Sequence, residues 1–187
     1  RIEYLMSRKL ASLGISTPVS HGYGRGPGTS CVVHEYIDGE SFIDVFRGSG
    51  EREKLIAALA ELLRDLEERH ILHNDLHLNN VLVSKGRLYL IDLHKMKIKG
   101  SFAAADEISN LSHALAMAYW TMTPDEKETF FRCYGREGLR GEVEGTLRAM
   151  HMRWISRKQR RAFENTSKTR WEGRCLHVRG REDRGQG

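Results

Sequence analysis

Polar side chains that can carry out chemistry are concentrated in residues 71–80, which read ILHNDLHLNN. The stretch contains two His, one Asp and three Asn between Ile and Leu residues. Three interpretations are open: a metal site, a catalytic loop, or a core helix that carries some polar residues. Three histidines spaced by three and four residues (His70, His73 and His77) would share one face of a continuous helix and bind zinc. The Asp-Leu and Asn-Asn pairs beside them are poor helix formers, which disfavours the helix and a zinc hydrolase.

A second carboxylate reaches this stretch through a predicted β-hairpin. The segments VLVS and LYLID flank the turn KGR, a pattern typical of two short antiparallel strands. Asn80 begins the first strand and Asp92 ends the second, so their side chains must be neighbours. An amide oxygen beside a carboxylate suits Mg²⁺. Asp75 can face the same opening and orient or deprotonate a hydroxyl, so the three residues together predict phosphoryl transfer.

The order and spacing of these residues match the kinase catalytic loop, H-R-D-L-x-x-x-N, followed by a metal-binding Asp after a hairpin. Residues 73–80 read HNDLHLNN, in which Asn74 replaces the Arg, and Asp92 begins a D-L-H in the place of D-F-G. LHNDLHLNNVLV and LYLIDLHKMKI together resemble the lipopolysaccharide kinase (Kdo/WaaP) family, which has a protein-kinase-like fold. EYLMSRKLASLGISTP resembles that family's αC helix, and SCVVHEYIDGESF resembles its hinge strand. The resemblance extends over about residues 3–171.

The resemblance implies a role for each residue of the loop. Asp75 is similar to the catalytic Asp that accepts the proton of the substrate hydroxyl, and Asn80 and Asp92 match the Mg²⁺ ligands. His73 would brace the loop rather than take part in the chemistry, and His77 holds the place of a catalytic-loop Lys. ATP and Mg²⁺ are the implied cofactors. The implied reaction moves the γ-phosphate of ATP to a hydroxyl of a lipopolysaccharide-core sugar or a related glycan.

The resemblance also places the nucleotide near the beginning of the chain. Glu3 matches the αC Glu that pairs with the phosphate-binding Lys. His34 falls at the gatekeeper position, and the backbone of Glu35 and Ile37 would meet the adenine edge.

The sequence departs from the kinase pattern in several places. No Gly-rich loop and no V-A-I-K strand precede Glu3, so the phosphate-anchoring Lys is missing from these 187 residues. Since the chain starts within a helical pattern, we expect a fragment of a longer kinase. A pseudokinase or nucleotide-binding scaffold is the alternative, and another small-molecule or protein kinase is a third. No A-P-E segment follows Asp92, which favours small-molecule kinases. Asn110 stands where related kinases often have a bracing Asp, and Asp106 is a substitute one turn earlier.

Apolar periodicity predicts the elements around the loop. Helices are expected over residues 2–13, 41–48, 51–70, 107–120, 123–135 and 139–155, and strands over 18–24 and 30–37. The fold class is therefore α+β. It is protein-kinase-like, with a truncated N-terminal lobe (the αC helix and two strands) and a mainly helical C-terminal lobe. We expect three parts: residues 1–38 as the partial N-terminal lobe and hinge, 39–173 as the catalytic lobe, and 174–187 as a disordered basic tail.

Charge is distributed unevenly along the chain. Residues from Arg140 onward carry 13 Lys and Arg against 6 Asp and Glu, whereas the earlier residues carry 17 against 19. A basic segment of this kind suits an anionic acceptor or an anionic membrane surface. A solvated basic tail is the alternative. Few aromatic residues lie between its Arg residues, so no specific nucleic-acid binding is expected.

Hydropathy and cysteine content indicate the compartment. No run approaches the roughly 18 apolar residues of a membrane span. The three cysteines are far apart and odd in number, which fits a reducing compartment. We expect a cytoplasmic protein that lies peripherally at the cytoplasmic face of the inner membrane.

Overall fold

The computed structural model describes the backbone of residues 1–164, 169–172 and 175–178 and the side chains of residues 1–158. The chain divides into two compact units, Arg1–Leu147 and Arg148–Gly187. The described helices are α1 (Ile2–Ser12), α2 (Phe42–Gly48), α3 (Arg52–Glu68), α4 (Ala104–Leu115), α5 (Pro124–Tyr134) and α6 (Arg140–Glu164). The described strands are β1 (Ser20–Gly26), β2 (Thr29–His34), β3 (Glu40–Ser41), β4 (Ile71–His73), β5 (Val81–Ser84), β6 (Arg87–Leu90), β7 (Met96–Ile98), β8 (Thr169–Glu172) and β9 (Cys175–Val178). The α+β class is confirmed.

The first helix and hairpin form as predicted. Gly14 follows α1 with a φ of +78°, the left-handed conformation in which glycine commonly ends a helix. The hydroxyl of Ser7 donates to the carbonyl of Pro18 at 2.8 Å and ties α1 to the chain that enters β1. The strands β1 and β2 pair from Ser20–His34 to Gly26–Thr29, so the loop between them is shorter than the sequence suggested.

The core of the first unit lies around α3. The apolar stripe of α3 is buried, and α3 packs closely against α5. Each fully buried Leu or Phe side chain contributes roughly 1.5–3 kcal/mol to folding. The largest buried side chains of α2, α3 and α5 are Phe42, Phe46, Ile56, Leu63, Leu66, Phe130 and Phe131. This core is the platform on which the loop of residues 71–80 is built.

The predicted hairpin of β5 and β6 is present, with Val81 opposite Leu90. The prediction that the second strand continues to Asp92 is wrong, because β6 ends at Leu90. Asp92 has a φ of +57° and a ψ of +58°, a left-handed conformation that cannot continue a strand. Two strand pairings of the first unit were not predicted: β3 pairs with β5, and β4 pairs antiparallel with β7.

The later helices differ from the prediction in length. α4 ends at Leu115, and a short 3-10 turn over Tyr119–Thr121 replaces its expected last turn. α5 has the predicted capping box, in which Thr123 and Glu126 satisfy each other's backbone N–H groups. α6 extends beyond the predicted end, to Glu164.

The second unit contains most of α6 and the antiparallel pair of β8 and β9. β9 lies within residues 174–187, the expected tail, while residues 173–174 and 179–187 lie outside the described residues. Among the described helices, none combines the length and the hydropathy needed to cross a bilayer.

Candidate active site

The loop that carries the predicted site is anchored to α4 by one buried side chain. Asn110 accepts the backbone N–H of His73 at 3.0 Å through Oδ1 and donates to the carbonyl of Ile71 at 2.8 Å through Nδ2. Both bonds are buried, so they fix β4 to the helix. Asp106 does not substitute for this brace. Its carboxylate accepts the N–H of Ala103 and pairs with Lys99, which lowers its pKa, and it thereby caps α4.

His73 lies directly behind the predicted catalytic Asp. Its ring is fully buried, and its Nδ1 accepts the backbone N–H of Asp75 at 3.2 Å. Nδ1 must therefore be unprotonated, which assigns the proton of the neutral ring to Nε2. Burial lowers the pKa of His73 to about 4, so the ring stays neutral near pH 7. These contacts agree with a bracing role.

Asp75 presents a partly exposed carboxylate beside a cation. Its Oδ2 accepts a hydrogen bond from Lys95 Nζ at 2.6 Å. This bond holds the pKa of Asp75 below its usual range, so the carboxylate is ionised at neutral pH. The backbone carbonyl of Asp75 accepts Nδ2 of Asn80 at 3.0 Å, which links the Asp to the first residue of the hairpin.

Asn80 pairs with Ile91, the residue that precedes Asp92. The N–H of Ile91 donates to the carbonyl of Asn80 at 2.9 Å, and the next residue pair is Val81 with Leu90. Asn80 is buried, and its amide nitrogen faces both the Asp75 carbonyl and Nε2 of His77. The amide orientation directs Oδ1 away from these two partners.

Asp92 projects from the turn that follows β6. Its carboxylate is 41% exposed, and its Oδ1 contacts Nδ1 of His94. Among the described residues, none forms a hydrogen bond with the second carboxylate oxygen, so this oxygen can bind a ligand. Left-handed backbone at a non-glycine residue is uncommon and is concentrated at functional sites.

The oxygens of Asn80 and Asp92 fit Mg²⁺ chemically. An amide oxygen and a carboxylate are hard donors, and Mg²⁺ in phosphoryl-transfer sites takes one or two carboxylates with phosphate oxygens and water. Within the described residues, no group of three or more His, Cys, Asp or Glu side chains converges as a zinc site would require. The zinc alternative is therefore unsupported: His73 holds the loop, and the ring of His70 stacks on Phe102.

Two residues whose contacts the sequence did not reveal complete the loop. Asn74, which replaces the kinase Arg, donates from Nδ2 to the carbonyl of Lys95 at 2.9 Å. Lys95 returns its own side chain to Asp75. The cause is the antiparallel pairing of β4 with β7, in which His73 lies opposite Met96, so that the residues after His73 approach the residues before Met96. The only sequence signal was the apolar segment MKI after Asp92.

A second histidine approaches the loop from α4. His113 lies one turn beyond Asn110 and interacts electrostatically with Asp75 and His77. Burial lowers the pKa of His113, so its ring is neutral at pH 7. His113 therefore places a neutral imidazole near the Asp75 carboxylate.

The residues predicted to bind the nucleotide lie at α1 and after β2. Oε1 of Glu3 is 3.8 Å from Nε2 of His34, whose Nδ1 bonds to the hydroxyl of Ser20 at 2.9 Å. Glu35 is bound to Val19 twice, through its backbone N–H at 2.8 Å and its Oε2 at 3.2 Å. Neither contact uses the Glu35 carbonyl.

The hinge segment after Glu35 is fastened to the hairpin. The hydroxyl of Ser84 donates to the carbonyl of Asp38 at 2.6 Å. Gly39 packs so closely that a Cβ there would lie 2.6 Å from the carbonyl oxygen of Val83. Ile37 is half-buried between these contacts and Glu35.

The structure therefore bonds Asn80 directly to Asp75, and Asp92 follows the residue that pairs with Asn80. Glu3, Glu35 and Ile37 form a second group on separate elements. α1 contacts the turn Leu93–Lys95, which connects the helix of Glu3 to the segment after Asp92. The N–H of Leu90 also donates to the carbonyl of Ser16 at 2.9 Å, so the chain after α1 is bonded to β6.

Comparisons with known proteins point in one direction. A family model described as the lipopolysaccharide kinase (Kdo/WaaP) family matches residues 5–134. A solved structure described as WaaP in complex with acyl carrier protein is similar to this chain, with a TM-score of 0.62 and 24% sequence identity. The similarity covers 86% of this chain and 75% of that chain. No curated protein sequence matches. At this identity, the structural likeness shows the fold, which is protein-kinase-like.

Proposed function

Because the chain belongs to the lipopolysaccharide kinase (Kdo/WaaP) family, we propose that it transfers the γ-phosphate of ATP to a hydroxyl of a lipopolysaccharide-core sugar or a related glycan. Kinase chemistry and the use of ATP follow from the family. The acceptor and the roles of individual residues are our proposal. The observation that carries it is the loop in which Asn80 bonds to the backbone of Asp75 and pairs with Ile91, the residue before Asp92.

Asp75 is the proposed proton acceptor. The hydroxyl oxygen of the acceptor attacks the γ-phosphorus, the bond from that phosphorus to the β,γ-bridging oxygen breaks, and ADP leaves. The hydroxyl proton passes to the Asp75 carboxylate, which is ionised and partly exposed. Such a base contributes about 10²–10⁴-fold to a reaction rate. His73 and Asn110 keep the backbone at Asp75 in place through the contacts described above.

Asn80 and Asp92 are the proposed Mg²⁺ ligands, through Oδ1 of Asn80 and the carboxylate of Asp92. When bound, the ion neutralises charge on the phosphate oxygens. The protein's own contribution is orientation: the bonds from the Asn80 amide nitrogen to Asp75 and His77 turn its oxygen outward. A rotated amide would present N–H groups to the ion and weaken binding.

Residues 1–38 are the proposed partial N-terminal lobe and hinge, and residues 39–173 the proposed catalytic lobe. The Glu35 carbonyl and the Ile37 backbone would bind the adenine edge. Glu3 would face the phosphates, where its carboxylate would orient a cation rather than bind the phosphates directly. The Ser84–Asp38 bond supports this division, because it fastens the hinge to β5 at one point.

The second unit supplies a proposed contact with an anionic membrane surface. On α6, Trp154 is 54% exposed and Met152 is 60% exposed. Nζ of Lys158 lies 5.4 Å from the centre of the Trp154 ring. An exposed aromatic residue next to basic side chains suits the interface of an anionic bilayer. The lipopolysaccharide acceptor is itself an amphiphile of that surface.

Transfer of labelled phosphate from ATP to dephosphorylated lipopolysaccharide tests the proposed function. We expect transfer with Mg²⁺ and none after chelation with EDTA. Asp92→Ala and Asn80→Ala should both abolish Mg²⁺-dependent transfer. Asn79→Ala is the matched control, since Asn79 is the exposed neighbour of Asn80. Transfer that survives in Asp92→Ala, or nucleotide binding without transfer by the wild-type protein, would contradict the proposal.

A further inference from the structure

Lys95 stands closer to the proposed proton acceptor than any other described cation. Its Nζ lies 2.6 Å from Oδ2 of Asp75, and it also interacts electrostatically with Asp92. The Lys side chain is 47% exposed and the Asp side chain 33% exposed, so the pair lies at an open edge of the site. The kinase catalytic-loop pattern assigns no residue to this position, three residues after the metal-binding Asp.

An exposed ion pair by itself contributes little to stability, typically about 0–1 kcal/mol. The backbone of this lysine, however, is fixed on two sides. Asn74 donates to its carbonyl at 2.9 Å, and the next residue, Met96, is buried and pairs with His73. Two successive residues of the catalytic loop therefore bind Lys95, one through its backbone and one through its ammonium group. This arrangement presents a cation at a defined place rather than on a mobile surface.

The position of Asp75 determines what Lys95 can reach during transfer. A proton acceptor lies within about 2.6–3.2 Å of the hydroxyl oxygen that it serves. That oxygen lies about 3–3.5 Å from the phosphorus in a reactive arrangement. An ammonium bound to the same carboxylate can therefore reach an equatorial phosphate oxygen by rotation of its side chain. The catalytic-loop Lys position is held by His77, whose Nε2 faces the Asn80 amide.

We propose, resting on the proposed function, that Lys95 is a further catalytic residue whose ammonium binds the phosphoryl group while it is transferred. In the free protein it neutralises Asp75. When the acceptor hydroxyl and ATP are bound, the ammonium moves to an equatorial oxygen of the γ-phosphate. The Asp75 carboxylate then becomes free to take the hydroxyl proton as the phosphorus–oxygen bond to ADP breaks. Lys95 itself stays protonated throughout and exchanges no atom.

Movement of the Lys95 ammonium to the phosphate removes the ion pair that would otherwise oppose proton transfer to Asp75. An ammonium bound to a carboxylate disfavours arrival of a proton there, so a permanent Lys95–Asp75 pair would slow proton transfer. Charge that spreads over the equatorial oxygens in the transition state attracts the same ammonium. Relocation therefore stabilises the phosphate and releases the base in one step.

Binding of a transition-state analogue tests this proposal without an acceptor. Mg²⁺·ADP with aluminium fluoride mimics the transferred phosphoryl group, and Mg²⁺·ADP alone lacks it. We expect Lys95→Met to weaken binding of the aluminium fluoride complex about tenfold or more, while the Kd of Mg²⁺·ADP is unchanged. Lys95→Arg should restore part of the loss. Lys97→Met removes an exposed charge from β7, two residues after Lys95, and serves as the matched control.

A second comparison tests whether Lys95 acts by binding the phosphoryl group or through its ion pair with Asp75. In an Asp75→Asn background the ion pair no longer exists, and the proposal predicts that Lys95→Met still weakens the aluminium fluoride complex. Equal binding of this complex by wild type and Lys95→Met would overturn the proposal and leave the proposed function intact. Wild-type protein that binds neither nucleotide complex would overturn the proposed function, and the role of Lys95 with it.

Discussion

At the scale of single residues, the site depends on neutral histidines behind an ionised carboxylate. Burial keeps the pKa of His73 near 4, whereas a histidine in the unfolded chain titrates near its ordinary value of 6.5. Between these values the unfolded state binds more protons than the folded state. Folding stability contributed by this residue is therefore present above pH 6.5 and is lost as the pH falls toward 4.

The prediction for His73 concerns the pH dependence of unfolding. The wild-type free energy of unfolding should fall by about 1.5 kcal/mol between pH 6.5 and 5, because the unfolded chain takes up a proton at His73 over this interval and the folded protein does not. Urea unfolding at the two pH values measures it. His73→Asn cannot titrate, so its loss over the same interval should be smaller by that amount. Equal losses in both proteins would show that His73 is not the titrating group.

At the scale of elements, one buried amide connects β4 to α4. Asn110→Ala removes the partner of two buried backbone groups, the His73 N–H and the Ile71 carbonyl. Each unsatisfied buried group costs about 1–3 kcal/mol. We expect a loss of about 2–5 kcal/mol in urea unfolding. Ser109→Ala, on the adjacent position of the same helix, should change stability by less than about 1 kcal/mol; a comparable loss there would indicate a general helix effect instead.

A second element-scale prediction concerns the contact of the hinge with β5. Gly39→Ala would place a methyl group 2.6 Å from the Val83 carbonyl oxygen, so the backbone must move. Overpacking of this kind costs about 1–3 kcal/mol. If residues 35–38 bind adenine, the shift should also weaken ATP binding, measured by titration with a fluorescent nucleotide. Gly48→Ala meets no atom within 4 Å and is the control. Unchanged nucleotide affinity in a destabilised Gly39→Ala would remove the hinge from the binding site.

The sequence predicted those elements whose signals are local. The hairpin of β5 and β6, the stripe of α3 and the cap at Thr123 all depend on residues within one segment, and all three are present. The β4–β7 pair was missed because each strand has three residues and its partner lies more than twenty residues away. The contact of Lys95 with Asp75 depends on that pairing. The spacing of residues in the sequence therefore could not predict this contact. The proximity of Asn80 to Asp92, by contrast, follows from the single turn between β5 and β6.

At the scale of the whole molecule, the two units have different proposed partners. The first carries the site, and the second carries exposed Trp154 beside basic residues. We predict sedimentation of the protein with vesicles that contain about 30% anionic lipid, and its release by salt. Trp154→Ala should weaken sedimentation. Trp120→Ala removes a similarly exposed ring from the first unit and is the control. Equal weakening by both substitutions would contradict a specific role for α6.

The central claim is that Asp75 takes the proton while Asn80 and Asp92 bind the ion. Parallel measurement of phosphotransfer to dephosphorylated lipopolysaccharide and of the Kd for Mg²⁺·ATP tests it most directly. Asp75→Asn should lower the transfer rate about 10²–10⁴-fold with little change in Kd, whereas Asp92→Asn should lose Mg²⁺-dependent binding itself. Transfer by Asp75→Asn at the wild-type rate would contradict the account.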